Sequence, residues 1–264
     1  MEGIIIAGGY GTRMLPISKI IAKEMMPIGD KPVIQYIVDG LVGIGIKDII
    51  ILTTGQKRII KDRFTNNKEI ENILEETGKI EYLEKIRRPI EIANYKFIKQ
   101  TNRLGTGGAL LQLKNHIKED FFFINFGDAI YDKNDFQKIF NKFQETKSPV
   151  IGIIPQPIEE TSNHGVAKIN GDKLIEIEES RDIKKAPSNY IRDGFCILPY
   201  EIFEILKNIK KERNGKKFRL ADGINILLKK TDIYTVKIDS YRDIGNIKKR
   251  LKANNKIYKD GSLF

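Results

Sequence analysis

Several features that would direct a function are scarce or absent in this 264-residue chain. Its one cysteine is Cys196, so no intrachain disulfide can form. No uninterrupted apolar run approaches the roughly 18 residues that a transmembrane helix needs, so no membrane partner is expected. Glu2 and a glycine-bearing turn follow Met1 at once, so a signal peptide is not expected and the expected compartment is the cytoplasm. The only histidines are His116 and His164, and no Ser/His/Asp or Cys/His set can be assembled around them. The spacing G-x-G-x-x-G is missing, and so is Gly-Lys-Ser/Thr, which excludes the dinucleotide fingerprint and the P-loop. No linker, repeat or low-complexity tract interrupts residues 1–264, which read as one domain.

What is present is a soluble globular composition, with 41% hydrophobic and 31% charged residues. The length allows a sizeable core. The net charge is +11, but the lysines are spread along the chain. No basic stripe or recognised motif supports nucleic acid as a partner.

Apolar β-type runs alternate with amphipathic segments. Strands are expected at Gly3–Ala7, Asp48–Thr53, Tyr95–Gln100 and Phe121–Phe126. Helices are expected after Pro32, at Lys57–Phe64, at Glu69–Ile86 as one long charged helix, and at Gly107–Ile117. This β-α-β-α-β-α-β order predicts an α/β fold with a mainly parallel sheet flanked by helices. The second half is more mixed. Pro149–Pro155 and Gly194–Leu198 read as strands, and 166–169 with 174–177 as a hairpin about Asn170-Gly171-Asp172. Pro199 is expected to open a helix, with further helices at Leu220–Leu228 and Ile244–Tyr258.

The first strand runs into Gly8-Gly9-Tyr10-Gly11-Thr12-Arg13. Glycines let backbone N–H groups approach a ligand closely, and an arginine fork suits phosphate oxygens. Lys23 follows ten residues later in Lys23-Glu24-Met25-Met26-Pro27. In open α/β sheets, ligands bind beyond the carboxyl ends of the strands, where these residues would lie. Gly105-Thr106-Gly107-Gly108 follows the strand ending at Gln100, whose amide offers a donor and an acceptor to a base. Asp128 ends an apolar strand and Asp243 stands in Tyr241-Arg242-Asp243-Ile244-Gly245. Two carboxylates suit one Mg²⁺ bound to phosphates. The structural alternatives are a turn or N-cap role for each aspartate and ordinary turn glycines for each loop.

The stretch MEGIIIAGGYGTRMLPISKIIAKEMMPIGDKPVIQYIVDG resembles the start of the sugar-phosphate nucleotidyltransferases, and within them the bacterial-type uridylyltransferase subgroup. EIENILEETGKIEYLEKI, Ala186-Pro187-Ser188-Asn189 and Tyr241–Asn246 are similar to later motifs of that subgroup. The resemblance implies a Rossmann-like nucleotidyltransferase fold, with a nucleotide-binding half at 1–130 and a sugar-phosphate-binding half at 131–264. It implies transfer from UTP to glucose 1-phosphate, giving UDP-glucose and pyrophosphate, with Mg²⁺ as cofactor, in a homo-oligomer. Ala7, Gly8, Gly9, Gly11, Thr12 and Arg13 would hold the nucleotide, with Arg13 and Lys23 catalytic. Gln100 and Gly105 would contact the uracil, and Asp128 and Asp243 the metal. Gly165 and Glu179 would contact the sugar, and Gly194 would line its pocket. Three positions depart from the family's pattern. Ala22 replaces a proline, and Gly127 precedes the metal aspartate where proline is usual. Ser180 stands where a sugar-phosphate lysine normally follows the glutamate, and Arg181 is expected to supply that charge. Two alternatives share these residues. One is transfer to another base or sugar, such as dTTP with glucose 1-phosphate. The other is a nucleotide-sugar-binding regulator without turnover.

Overall fold

The computed structural model of the protein describes residues 1–55, 57–179 and 182–260. Strand β1 (Glu2–Ala7) explains the layering. Ile4 packs into one buried cluster and Ile5 into another, so neighbouring residues serve opposite faces of the sheet. A strand buried on both faces needs a continuous apolar run, which is what this segment has. The first half continues with β2 (Pro27–Ile28), β3 (Lys31–Pro32), α1 (Val33–Gly43), β4 (Asp48–Thr53) and α2 (Arg58–Arg63). Then come α3 (Lys68–Glu76), α4 (Ile80–Glu91), β5 (Asn94–Lys99), α5 (Gly105–Leu111), β6 (Phe121–Phe126) and β7 (Ala129–Ile130). Strands β6, β1, β4 and β5 lie side by side and parallel, as expected.

The second half adds α6 (Lys133–Thr146), β8 (Val150–Pro155), β9 (Gly165–Asn170), β10 (Lys173–Glu178), β11 (Tyr190–Arg192) and β12 (Cys196–Pro199). It ends with α7 (Ile202–Glu212), α8 (Leu220–Leu227), β13 (Tyr234–Lys237), β14 (Arg242–Asp243) and α9 (Ile247–Asp260). One ten-stranded mixed sheet runs through both halves in the order β11-β9-β10-β13-β8-β12-β6-β1-β4-β5. β12 is antiparallel to both β6 and β8 and joins the two parts.

Four expectations are corrected. The long helix at Glu69–Ile86 is two helices, α3 and α4. Gly78 at φ +66° takes a left-handed turn between them, a conformation that ends helices. The helix expected at Gly107–Ile117 begins at Gly105 and gives way after Leu111 to a single 3₁₀ turn at Lys114–His116. The strand expected from Gly194 begins at Cys196, because Gly194 has a positive φ. Pro199 closes β12 rather than opening the following helix. The expectations omit α6, although Phe136, Ile139 and Phe143 are buried on one of its faces. They also omit β13 and the two-residue pair β7–β14.

A third, smaller core of Ile28, Val33, Tyr36, Ile130, Ile244 and Ala253 ties β2, α1, β7 and α9 together. Through Ile244 it anchors the end of β14, which carries Asp243.

Candidate active site

The β1 strand ends at Ala7, and the glycine loop that follows is shaped by its neighbours. A side chain at Gly8 would meet Gln100 Oε1 at 1.7 Å, so Gln100, the residue expected to meet the base, lies directly on this loop. Gln100 Nε2 donates to the Asn102 carbonyl at 2.8 Å, which fixes the amide. A Cβ at Gly9 would lie 3.6 Å from Lys23 Nζ. Gly11 has φ +66°, and its carbonyl accepts from Ser18 Oγ at 2.7 Å. Thr12 and Arg13 form the 3₁₀ turn that follows. The Arg103 guanidinium stacks 3.5 Å from the centroid of the Tyr10 ring, bridging this loop to the one before Gly105.

Lys23 donates a hydrogen bond to Asp128. Burial opposes its charge, but Asp128 and then Glu24 hold Lys23 above the ordinary lysine value. Asp128 and Asp243, 115 positions apart by number, are brought together by the β7–β14 pair, in which Asp243 lies opposite Ala129. The Ile244 amide donates to the Asp128 carbonyl at 2.9 Å. The Asp243 carboxylate accepts from the Gly245 amide at 2.6 Å and from Lys249 Nζ at 2.7 Å. Burial works against its ionised form, but Lys249, the Gly245 amide and Arg13 hold it below the usual carboxylate range. A Cβ at Gly245 would lie 2.7 Å from Arg13 Nη2 and 2.8 Å from Asp243 Oδ1, so Arg13 sits beside this aspartate. Arg13, Lys23, Asp128 and Asp243 thus converge at the carboxyl edge of β1 and β6.

Sequence patterning misses the groups that support this cluster. Glu24 is completely buried, and Lys57 donates to both of its oxygens and to the Ala7 carbonyl, each at 2.8 Å. Burial pushes the Glu24 carboxyl up, opposed by Lys57 and Lys23. Asp193 stands near both candidate metal aspartates. Burial, then Asp128 and Asp243, push its carboxyl up to about 8. His164 Nδ1 is 4.0 Å from Asp193 Oδ1, and burial lowers the His164 value, favouring neutral imidazole.

The residues expected to meet the sugar sit in the second half. Gly165 opens β9, and a Cβ there would lie 3.3 Å from Glu179 Oε1. Glu179 is ion-paired with Arg219. A cavity of about 610 Å³ is lined by Glu179, Arg219 and Gly105, so a candidate base residue and a candidate sugar residue share one space. Gly105 has φ +84°, and a Cβ would strike the Phe218 carbonyl at 2.3 Å. Gly194 has φ +73°, and its Cβ position is filled by the Phe126 ring at 2.5 Å, so its glycine is also required by packing. Ser180 and Arg181 lie outside the described residues.

The family model described as nucleotidyl transferase matches residues 2–260. A UTP–glucose-1-phosphate uridylyltransferase of Staphylococcus epidermidis is 35% identical over 92% of this chain and 87% of its own. The solved UTP-bound UGPase of Acinetobacter baumannii superposes with a TM-score of 0.86 at 27% identity, over 97% of this chain and 92% of that one. A UDP-glucose pyrophosphorylase complexed with UDP-glucose superposes with a TM-score of 0.84 at 29% identity, over 98% of both chains.

Proposed function

The chain belongs to the nucleotidyl transferase family of enzymes, and on that premise we propose that it transfers the uridylyl group of UTP to glucose 1-phosphate. The observation that carries this reading is the convergence of Arg13 and Lys23 with Asp128 and Asp243 at the end of the first strand. A phosphate oxygen of glucose 1-phosphate attacks the α-phosphorus of UTP. The bond from that phosphorus to the β-phosphate oxygen breaks, and pyrophosphate leaves with the electron pair. The attacking oxygen is already anionic, so no general base and no covalent enzyme intermediate is needed. The obstacle is repulsion between two polyanions. Arg13 and Lys23 offset it and hold the reacting groups in line. Gln100 and the Gly105 backbone meet the uracil edge, and Gly165 and Glu179 meet the sugar hydroxyls.

Mg²⁺ belongs to the same proposal. Asp128 and Asp243 each carry a lysine ammonium, so the pair is already a seat for positive charge. Among the described residues no group of three or more His, Cys, Asp or Glu can enclose a metal ion. Two carboxylates completed by phosphate oxygens and water are what Mg²⁺ accepts. When bound, the ion supplies charge stabilisation to the phosphate oxygens. Among the described residues no helix is long and apolar enough to cross a membrane.

The test is pyrophosphate release by the purified protein across UTP, dTTP, ATP and GTP, each paired with several sugar 1-phosphates. UTP with glucose 1-phosphate is expected to have the highest kcat/KM. A purine nucleotide matching UTP would refute the base assignment.

A further inference from the structure

Arg192 is the last residue of β11, and it is only 6% exposed. Its register partner is Gly165, the residue assigned above to the sugar, and Gly194 is two positions on. Ile191 points into the core cluster on one face of the sheet. Side chains alternate along a strand, so Arg192 points to the other face. That is the face of Cys196 and Ile177. The Cys196 thiol is its polar neighbour there, and a thiol is a weak hydrogen-bond acceptor. Ile177 lies 3.0 Å from the Cβ position of Gly165, and Glu179 Oε1 lies 3.3 Å from it. The strand register therefore sets Arg192 under the wall that Gly165 and Glu179 build.

Two of its nitrogens, Nε and Nη2, are buried without a hydrogen-bond partner. Among the described residues no carboxylate forms an ion pair with it. These two nitrogens form one edge of the guanidinium, the fork that grips two oxygens of a phosphate or carboxylate in parallel. A buried guanidinium with an empty fork is costly to the fold. Glu178 and Glu179 make this wall acidic, so an anionic substrate entering it needs a cation close by.

We propose that the Nε–Nη2 edge of Arg192 is an anion-binding element of the sugar pocket. It takes two oxygens of a phosphate or carboxylate carried by the sugar substrate. This rests on the uridylyl-transfer reading for the identity of the pocket. It adds a residue and a charge preference that reading does not contain. A phosphate source is the 1-phosphate itself. A carboxylate source is an oxidised sugar ring.

The experiment uses the full chain, Arg192→Met and Arg192→Lys. Each is assayed with UTP and either glucose 1-phosphate or glucuronate 1-phosphate, and each is melted with and without glucose 1-phosphate. If the phosphate is held, Arg192→Met raises the KM for glucose 1-phosphate about tenfold or more, the scale of a lost charged hydrogen bond, and leaves the KM for UTP unchanged. Arg192→Lys restores part of the loss. If a carboxylate is held, the wild type favours glucuronate 1-phosphate and Arg192→Met erases that preference. In either case Arg192→Met melts no lower than the wild type, because it removes a buried unpaired charge. Unchanged KM values for both sugars, or equal rises for sugar and UTP, overturn the proposal. The melting arm separates the two readings. If no nucleotide and sugar pair yields pyrophosphate, uridylyl transfer fails. Stabilisation by glucose 1-phosphate that disappears in Arg192→Met then still supports Arg192, and stabilisation that persists overturns it.

Discussion

Replacing Lys57 with methionine tests the support beneath the cluster. The substitution removes three hydrogen bonds of 2.8 Å, two to Glu24 and one to the Ala7 carbonyl. Methionine fills similar space but leaves Glu24, which has 0% exposure, without its bonded partner. Removing one member of a buried ion pair costs about 3–5 kcal/mol, because the other charge stays buried. The assay is urea denaturation of the wild type, Lys57→Met, Glu24→Met and the double variant. The double variant is expected to recover more than half of the loss, since apolar replacement of both partners removes the desolvation cost. It stays slow in turnover, because the Ala7 carbonyl and the turn bearing Lys23 have lost their anchor. The loss also has a pH signature. Burial already raises the Glu24 carboxyl, and without Lys57 it rises further. The native variant then keeps a proton that the unfolded chain releases. Its deficit therefore grows as pH rises from the ordinary carboxylate value towards the raised one. A Lys57→Met protein within about 1 kcal/mol of wild type would show that the pair carries no stability, in conflict with the expected cost. A double variant as unstable as the single one would refute the desolvation argument.

Asp193→Asn is expected to flatten the pH dependence of melting. The native carboxyl, raised to about 8 from 3.8, holds a proton that the unfolded chain has lost between those values, so wild-type stability falls as pH rises through that window. Equal slopes for wild type and variant between pH 5 and 8 would contradict this. Gly194→Ala should cost about 1–3 kcal/mol, since it places a Cβ 2.5 Å from the Phe126 ring at φ +73°. A melting temperature equal to wild type would rule out that clash. Asp128→Asn and Asp243→Asn should each raise the Mg²⁺ concentration needed for half-maximal pyrophosphate release by at least about tenfold. An unchanged Mg²⁺ titration in either variant would remove that residue from the metal site.

The parallel half was legible because β1, β4 and β6 are runs of mostly apolar residues closed by glycine or a polar turn, and β5 alternates aromatic or apolar residues with lysines. β4 and β6 fall on their expected bounds for that reason. The α3–α4 break was readable too, since Thr77-Gly78 stands in the middle of the charged stretch. α6 carries Phe136, Ile139 and Phe143 at helical spacing and was also within reach of the pattern. β7 and β14 were not, because two residues carry no periodicity, yet this pair is what joins Asp128 to Asp243. The glycine loop, Lys23 and the two aspartates were visible as residue types. Their closeness was visible only through family resemblance. Glu24, Lys57 and Arg192 look like surface charges in sequence, because charged residues are mostly exposed. Only the long-range strand pairing and the fold around Ala7 bury them.

Lys23 lies against the glycine loop and bonds Asp128, so its replacement probes the proposed transfer at its centre. The measurement is single-turnover formation of UDP-glucose from UTP and glucose 1-phosphate at saturating Mg²⁺, for wild type and Lys23→Met. The wild type is expected to form product and Lys23→Met to lose about 100-fold or more in rate, the scale of one preorganised charge donor at a reaction centre, while UTP still binds. A Lys23→Met protein that forms UDP-glucose at the wild-type rate would contradict this expectation.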